Sequence, residues 1–73
     1  MSIATHSARI VHPIPFTDEQ GQPDAIPVGP CLVEELGTEC VTVFWGPAGE
    51  KSALLQAQDV EIAESSGDLV LLD

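Results

Sequence analysis

Glu39-Cys40-Val41-Thr42-Val43-Phe44-Trp45, followed by Gly46-Pro47-Ala48-Gly49, is the stretch that decides the fold class. Val41, Val43 and Trp45 alternate with Cys40, Thr42 and Phe44, and the residues are β-branched or aromatic, which is the pattern of a strand with two distinct faces. The Gly-Pro-Ala-Gly run that follows supplies the residues of a tight turn. Residues 50–56 then read as the returning strand, because Trp45 and Leu54 flank a hairpin-length connection. A helix over residues 48–64 competes with that reading, since Ala53, Leu54, Leu55, Gln56 and Ala57 are good helix formers.

Working outward, residues 26–36 read as the preceding strand, irregular at its start because of Pro27, Gly29 and Pro30, with Gly37-Thr38 as a tight turn into the central one. Residues 8–12 read as an edge strand leading into extended chain, because Pro13 and Pro15 cannot donate to a ladder. Residues 17–25, Thr-Asp-Glu-Gln-Gly-Gln-Pro-Asp-Ala, are the most polar run and read as an exposed, mobile loop. Downstream, Val60-Glu61-Ile62 alternates and reads as a short strand, Ser65-Ser66-Gly67-Asp68 as a turn, and Leu69-Val70-Leu71-Leu72 as a last strand covered on both faces. Six Pro and six Gly in 73 residues leave no uninterrupted helical window before Glu50. The expectation is one all-β domain over residues 1–73, a small five- to six-stranded barrel, with residues 1–7 flexible. A chain this short buries only about 60% of its unfolded surface.

The order Val33-Glu34-Glu35-Leu36, Val41-Thr42-Val43-Phe44-Trp45, Gly46-Pro47-Ala48-Gly49, Leu54-Leu55, Asp59-Val60-Glu61-Ile62 resembles the meander of Src-homology-3-like barrels and their Tudor-like and KOW-like relatives. The resemblance covers about half of the chain, residues 28–62. It implies an SH3-like barrel in which residues 17–25 match the long first loop and Val60-Glu61-Ile62 follows a brief helical turn as the closing strand. The chain departs from the peptide-binding members: it has no Tyr and no Ala-Leu-Tyr-Asp-Tyr-type start. An aromatic polyproline groove is therefore not expected. A methyl-lysine cage needs several clustered aromatics, and only Phe16, Phe44 and Trp45 exist.

Twelve carboxylates face Arg9 and Lys51, for a net charge of −10. Two cations cannot neutralise a nucleic-acid backbone, so direct DNA or RNA binding is not expected. The same sign argues against an anionic membrane surface, and no run approaches the length of a membrane span. The first 15 residues lack a basic start followed by an apolar run, which points to a cytoplasmic location and reduced cysteines.

No spacing in the chain names a cofactor or metal. Cys31, Cys40, His6 and His12 could supply four zinc ligands, but their separations match no ligand pattern. If Gly37-Thr38 is a two-residue turn, Glu35 faces Cys40 and Cys31 faces Phe44, which leaves the cysteines roughly 13 Å apart along the ladder, too far to bridge. Both are expected as small buried thiols. Ser7 beside His6 or His12 lacks an orienting partner, and Glu34 and Glu35 point to opposite strand faces, so catalysis is not expected.

The residues best suited to an interface are Phe16, Phe44 and Trp45, with Asp18 and Glu19 beside them. Phe44 and Trp45 lie on opposite strand faces, so one large aromatic must face outward. The leading expectation is an adaptor module that binds a protein partner, including a basic one, through this patch. Two alternatives are an acidic inhibitor or nucleic-acid mimic that occupies a basic cleft, and a small enzyme active only as an oligomer. The apolar tail Leu69 to Leu72 could pair edge to edge with a second copy as a homodimer.

Overall fold

A computed structural model describes residues 4–35, 37 and 39–72. The chain is mostly β, with one short helix. The elements run β1 (Ala4–Ile10), β2 (Ile14–Thr17), β3 (Pro23–Ile26), β4 (Gly29–Glu35), β5 (Cys40–Trp45), β6 (Lys51–Gln56), α1 (Ala57–Ser66) and β7 (Leu69–Leu71). Five strands form one antiparallel sheet in the order β6-β5-β4-β1-β7, and β2 and β3 form a separate hairpin. Both sheets are open.

Alternation sorts the five-stranded sheet into two unlike faces. Val43, paired with Val33 and Ala53, is the centre of the inner face. Val41 and Leu55 lie on one side of that row, and Cys31, Ala8, Ile10 and Leu69 on the other. The hairpin contributes Ile14 and Ile26 to the same buried cluster, and α1 contributes Val60 and Ala63. Each such Val or Ile stabilises the fold by about 1.5–3 kcal/mol when fully buried. The hairpin and helix thus cap the inner face, while Leu32, Leu54 and Val70 remain exposed on the other.

The central strand, the turn after it and the returning strand form where the sequence places them. In the turn the Gly49 N–H donates to the Gly46 carbonyl at 3.1 Å, and the Ala48 N–H donates to Glu50 Oε2 at 3.0 Å. Gly46 has φ of 101°, a backbone that side chains rarely adopt.

Several expectations are corrected. The segment 17–25 is not a loop throughout: it holds the turn and second strand of the β2–β3 hairpin. Asp18 makes this turn, its Oδ1 accepting from the Gln20 and Gln22 N–H groups at 2.9 and 2.8 Å. The strand at residues 26–36 splits, because Ile26 closes the hairpin and β4 begins at Gly29; Leu36 and Thr38 lie outside the described residues, and with them part of the Gly37-Thr38 turn. β1 is not an edge: β7 returns to pair with it, and both prolines fall beyond its end. β1 starts at Ala4, inside the segment expected to be flexible, because residues 4–7 pair with β4; residues 1–3 lie outside the described residues.

Val60-Glu61-Ile62 is helical rather than a strand. Val60 and Ala63, three apart, share the buried side of α1, and Ile62 is 56% exposed. Ser65 and Ser66 are its last residues. The helix ends in a Schellman motif: Gly67 sits at φ of 80°, its N–H donates to the Glu64 carbonyl at 3.1 Å, and the Asp68 N–H donates to the Ala63 carbonyl at 2.8 Å. The closing strand is β7, and only Leu69 of the apolar tail is buried; Val70, Leu71 and Leu72 are exposed.

Candidate functional site

The β4–β5 register pairs Cys31 with Trp45 and Leu32 with Phe44, one residue away from the two-residue-turn expectation. A shift of one exchanges faces. Cys31 therefore lies with the inner residues Val43 and Trp45, where burial pushes its thiol pKa up. Cys40 lies on the outer face, paired with Gln56, and is exposed rather than buried. Both cysteines are free. His12 is held elsewhere, its Nδ1 at 3.0 Å from Asp68 Oδ1, and His6 Nε2 lies 3.8 Å from Glu35 Oε2. Among the described residues no three His, Cys, Asp or Glu side chains come together as a metal-binding group.

Of the five residues singled out for an interface, the structure brings Phe16, Asp18 and Glu19 together at the hairpin tip. Phe16 is anchored by an edge-on contact with Trp45, with centroids 5.9 Å apart and planes at 71°. That geometry is favourable for an aromatic pair. Phe44 is not part of this group: it points to the outer face between Leu32 and Ser52. Glu34 and Glu35 do point to opposite faces, paired with Thr42 and Val41.

A cleft of about 740 Å³ opens between the hairpin tip and the β5–β6 side of the sheet. Phe16, Thr17, Asp18, Glu19 and Gln20 form one wall; Thr42 of β5 and Ser52, Ala53 and Leu54 of β6 form the other. The volume lies within the ordinary range for ligand clefts. Asp18 is committed in part to its own turn, whereas Glu19 is exposed. β6 is an outermost strand of its sheet, so among the described residues no strand lies beside one of its edges. The sheet wall was legible only indirectly: once Ala53 and Leu55 are inward, Leu54 must point outward. That a distant hairpin would lie beside it depends on tertiary placement.

A second, smaller concavity of about 430 Å³ is lined by Pro27, Val28, Gly29, Pro30, Trp45, Gly46 and Pro47, with no charged side chain. Trp45 lines this second hollow and touches Phe16, which lines the first. Among the described residues no helix is long and apolar enough to cross a membrane. The chain matches no known protein family, no curated protein and no solved structure.

Proposed function

We propose that this chain is a protein-binding module, not an enzyme, with an SH3-like barrel arrangement, and that it takes an extended, basic segment of a partner protein into the cleft beside β6. The observation that carries the reading is the cleft itself, with the acidic hairpin tip, including Glu19, on one wall and Leu54 and Thr42 on the other. An extended segment can add hydrogen bonds at a free sheet edge while its side chains reach the two walls. A chain of net charge −10 also draws a basic segment in from solution.

The barrel reading draws support from strand order. A hairpin inserted between β1 and β4, three strands joined by short turns, and a helix before the last strand give the order β6-β5-β4-β1-β7, as an SH3-like chain would run. On this reading the hairpin takes the place of the long first loop and α1 that of the brief helical turn. A cytoplasmic setting fits a module with free cysteines.

The test is selection of peptides from a random displayed library on the full chain, followed by titration of the selected peptides and mapping by amide chemical shifts. Selected sequences should carry Lys or Arg beside apolar residues. Binding should shift amides of residues 17–20 and 52–54, weaken with salt, and fall in Glu19→Lys and Leu54→Glu. Selection of acidic or featureless peptides, or indifference to both substitutions, would remove the reading.

A further inference from the structure

We infer that the outer face of the five-stranded sheet docks a second copy of this chain, face to face, about a two-fold axis running along the row Ser52-Phe44-Leu32-Ser7-Leu72. The register fixes this row: Phe44 pairs with Ser52, Leu32 with Phe44, and Ser7 with Leu32, and the Leu72 N–H donates to the Ser7 carbonyl at 2.8 Å. Leu54, Thr42, Glu34 and Thr5 form the adjacent row on one side, and Pro30, Arg9 and Val70 the row on the other.

Charge is the first argument for a second copy. The chain carries −10, yet this face holds one cation, Arg9, and one anion, Glu34. The other ten described carboxylates sit on the hairpin, on α1, in the connections or at the inner end of β4. Two copies repel in most orientations. Here a neutral surface meets a neutral surface. Leu32, on the middle strand, is 45% exposed, and Leu54 and Val70, on the two outermost strands, are 63% and 43% exposed, so apolar side chains span the face from edge to edge.

Self-complementarity is the second. Arg9 and Glu34 lie on opposite sides of the central row and on neighbouring strands. Rotation about an axis along that row lays Leu32 and Phe44 over their own counterparts. It also carries each Arg9 over the position of Thr5, about one strand spacing, ~4.8 Å, to the side of Glu34 in the other copy. Both Arg9 side chains then reach a carboxylate, as an isologous interface requires. An interface that matched Arg9 to Arg9 would lack this.

Area is the third. Five strands at ~4.8 Å and about six residues at ~3.3 Å give a face of roughly 480 Å², or about 1,000 Å² for the pair. That is at the lower end of specific interfaces, so the dimer is a reversible one. Its salt dependence is opposite to that of the cleft: screening the repulsion between two −10 bodies strengthens it.

Sedimentation equilibrium of the full chain, across protein concentrations and at low and high salt, tests the proposal. The expected result is a monomer–dimer equilibrium that tightens with salt. Leu32→Glu should weaken it about 100-fold with an unchanged circular dichroism spectrum, since Leu32 is exposed in the monomer. Arg9→Glu should weaken it, and Arg9→Glu combined with Glu34→Arg should restore it. A monomer at all concentrations would overturn the inference. So would a dimer that ignores Leu32→Glu, or one that the charge exchange does not rescue. Ser52, Thr42 and Leu54 belong to both surfaces, but Leu32, Arg9 and Glu34, the residues substituted, do not line the cleft, so loss of the dimer and loss of peptide binding are separable outcomes.

Discussion

Ile26 is the most deeply buried of the residues that hold the hairpin, and hence one wall of the cleft, to the body of the protein. It pairs with Ile14 in the hairpin and is 0% exposed within the cluster that includes Val43 and Ile10. Ile26→Ala removes three carbons. At about 0.8 kcal/mol per buried methylene the transfer loss is ~2.4 kcal/mol, and the cavity left behind raises the cost to about 3–4 kcal/mol. A domain of this size has on the order of 3–5 kcal/mol to lose, so the alanine variant should be largely unfolded. Ile26→Val removes one carbon and should cost about 1 kcal/mol. With a urea slope near ~1 kcal/mol/M for a small domain, its midpoint should fall by roughly 1 M with the slope unchanged. Urea titrations followed by circular dichroism and by Trp45 fluorescence should coincide, since Trp45 touches Phe16 on the hairpin. If Ile26→Val leaves the midpoint within about 0.3 M while hairpin amides exchange faster, the hairpin opens independently and the argument that it belongs to one cooperative core fails.

Under native conditions iodoacetamide should modify Cys40 and spare Cys31, whose thiol is buried and kept protonated by burial, with a second equivalent incorporated only after denaturation; mass spectrometry reads the stoichiometry. Asp18→Ala should cost about 1 kcal/mol in urea denaturation, because two turn N–H groups lose their acceptor, and Asp18→Asn should recover most of it. The Glu50 carboxyl pKa is held below its ordinary value by its own N–H and that of Ala48. The charged form is therefore favoured in the folded state, and its contribution is complete above the ordinary glutamate pKa and lost as pH falls through the lowered value. Paired denaturation of the parent and Glu50→Gln across acidic pH should show their stability difference shrinking in that window; a difference that grows on acidification would contradict the assignment.

The sheet was readable where alternation was long and bounded. Six alternating residues closed by a Gly-Pro turn placed β5 and β6, and the outward position of Leu54 follows from them. Two failures have physical causes. Val60-Glu61-Ile62 is too short to tell a period of two from one of 3.6, and Ala63 three residues after Val60 was the helical signal, with Gly67 as its stop. The β4–β5 register turned on a single residue in a connection whose Leu36 and Thr38 lie outside the described residues, and that one step moved Cys31 to the inner face. The cleft was half legible: the hairpin tip stood out as the most polar run, but nothing local to Thr42 or Leu54 marks them as the opposite wall. That depends on Ile14 and Ile26 finding the inner face from the far side of two prolines.

The outer face is the feature that folding alone does not explain. An antiparallel sheet covered on one side ordinarily presents polar residues on the other, and a chain with twelve acids has side chains available to do so. Leu32, Phe44 and Leu54 instead occupy outward positions where Thr, Glu or Lys would serve the ladder equally well. All the described carboxylates but Glu34 lie off this face, on the hairpin, on α1, in the connections or at the inner end of β4. The two proposals together assign two kinds of surface to one small body: an acidic cleft whose attraction for a basic segment would weaken with salt, and a neutral face whose self-association would strengthen with it. Leu54 and Thr42 border both, so a segment bound in the cleft crowds the margin of the dimer face. If both proposals hold, low ionic strength favours the liganded monomer and high ionic strength the pair of copies.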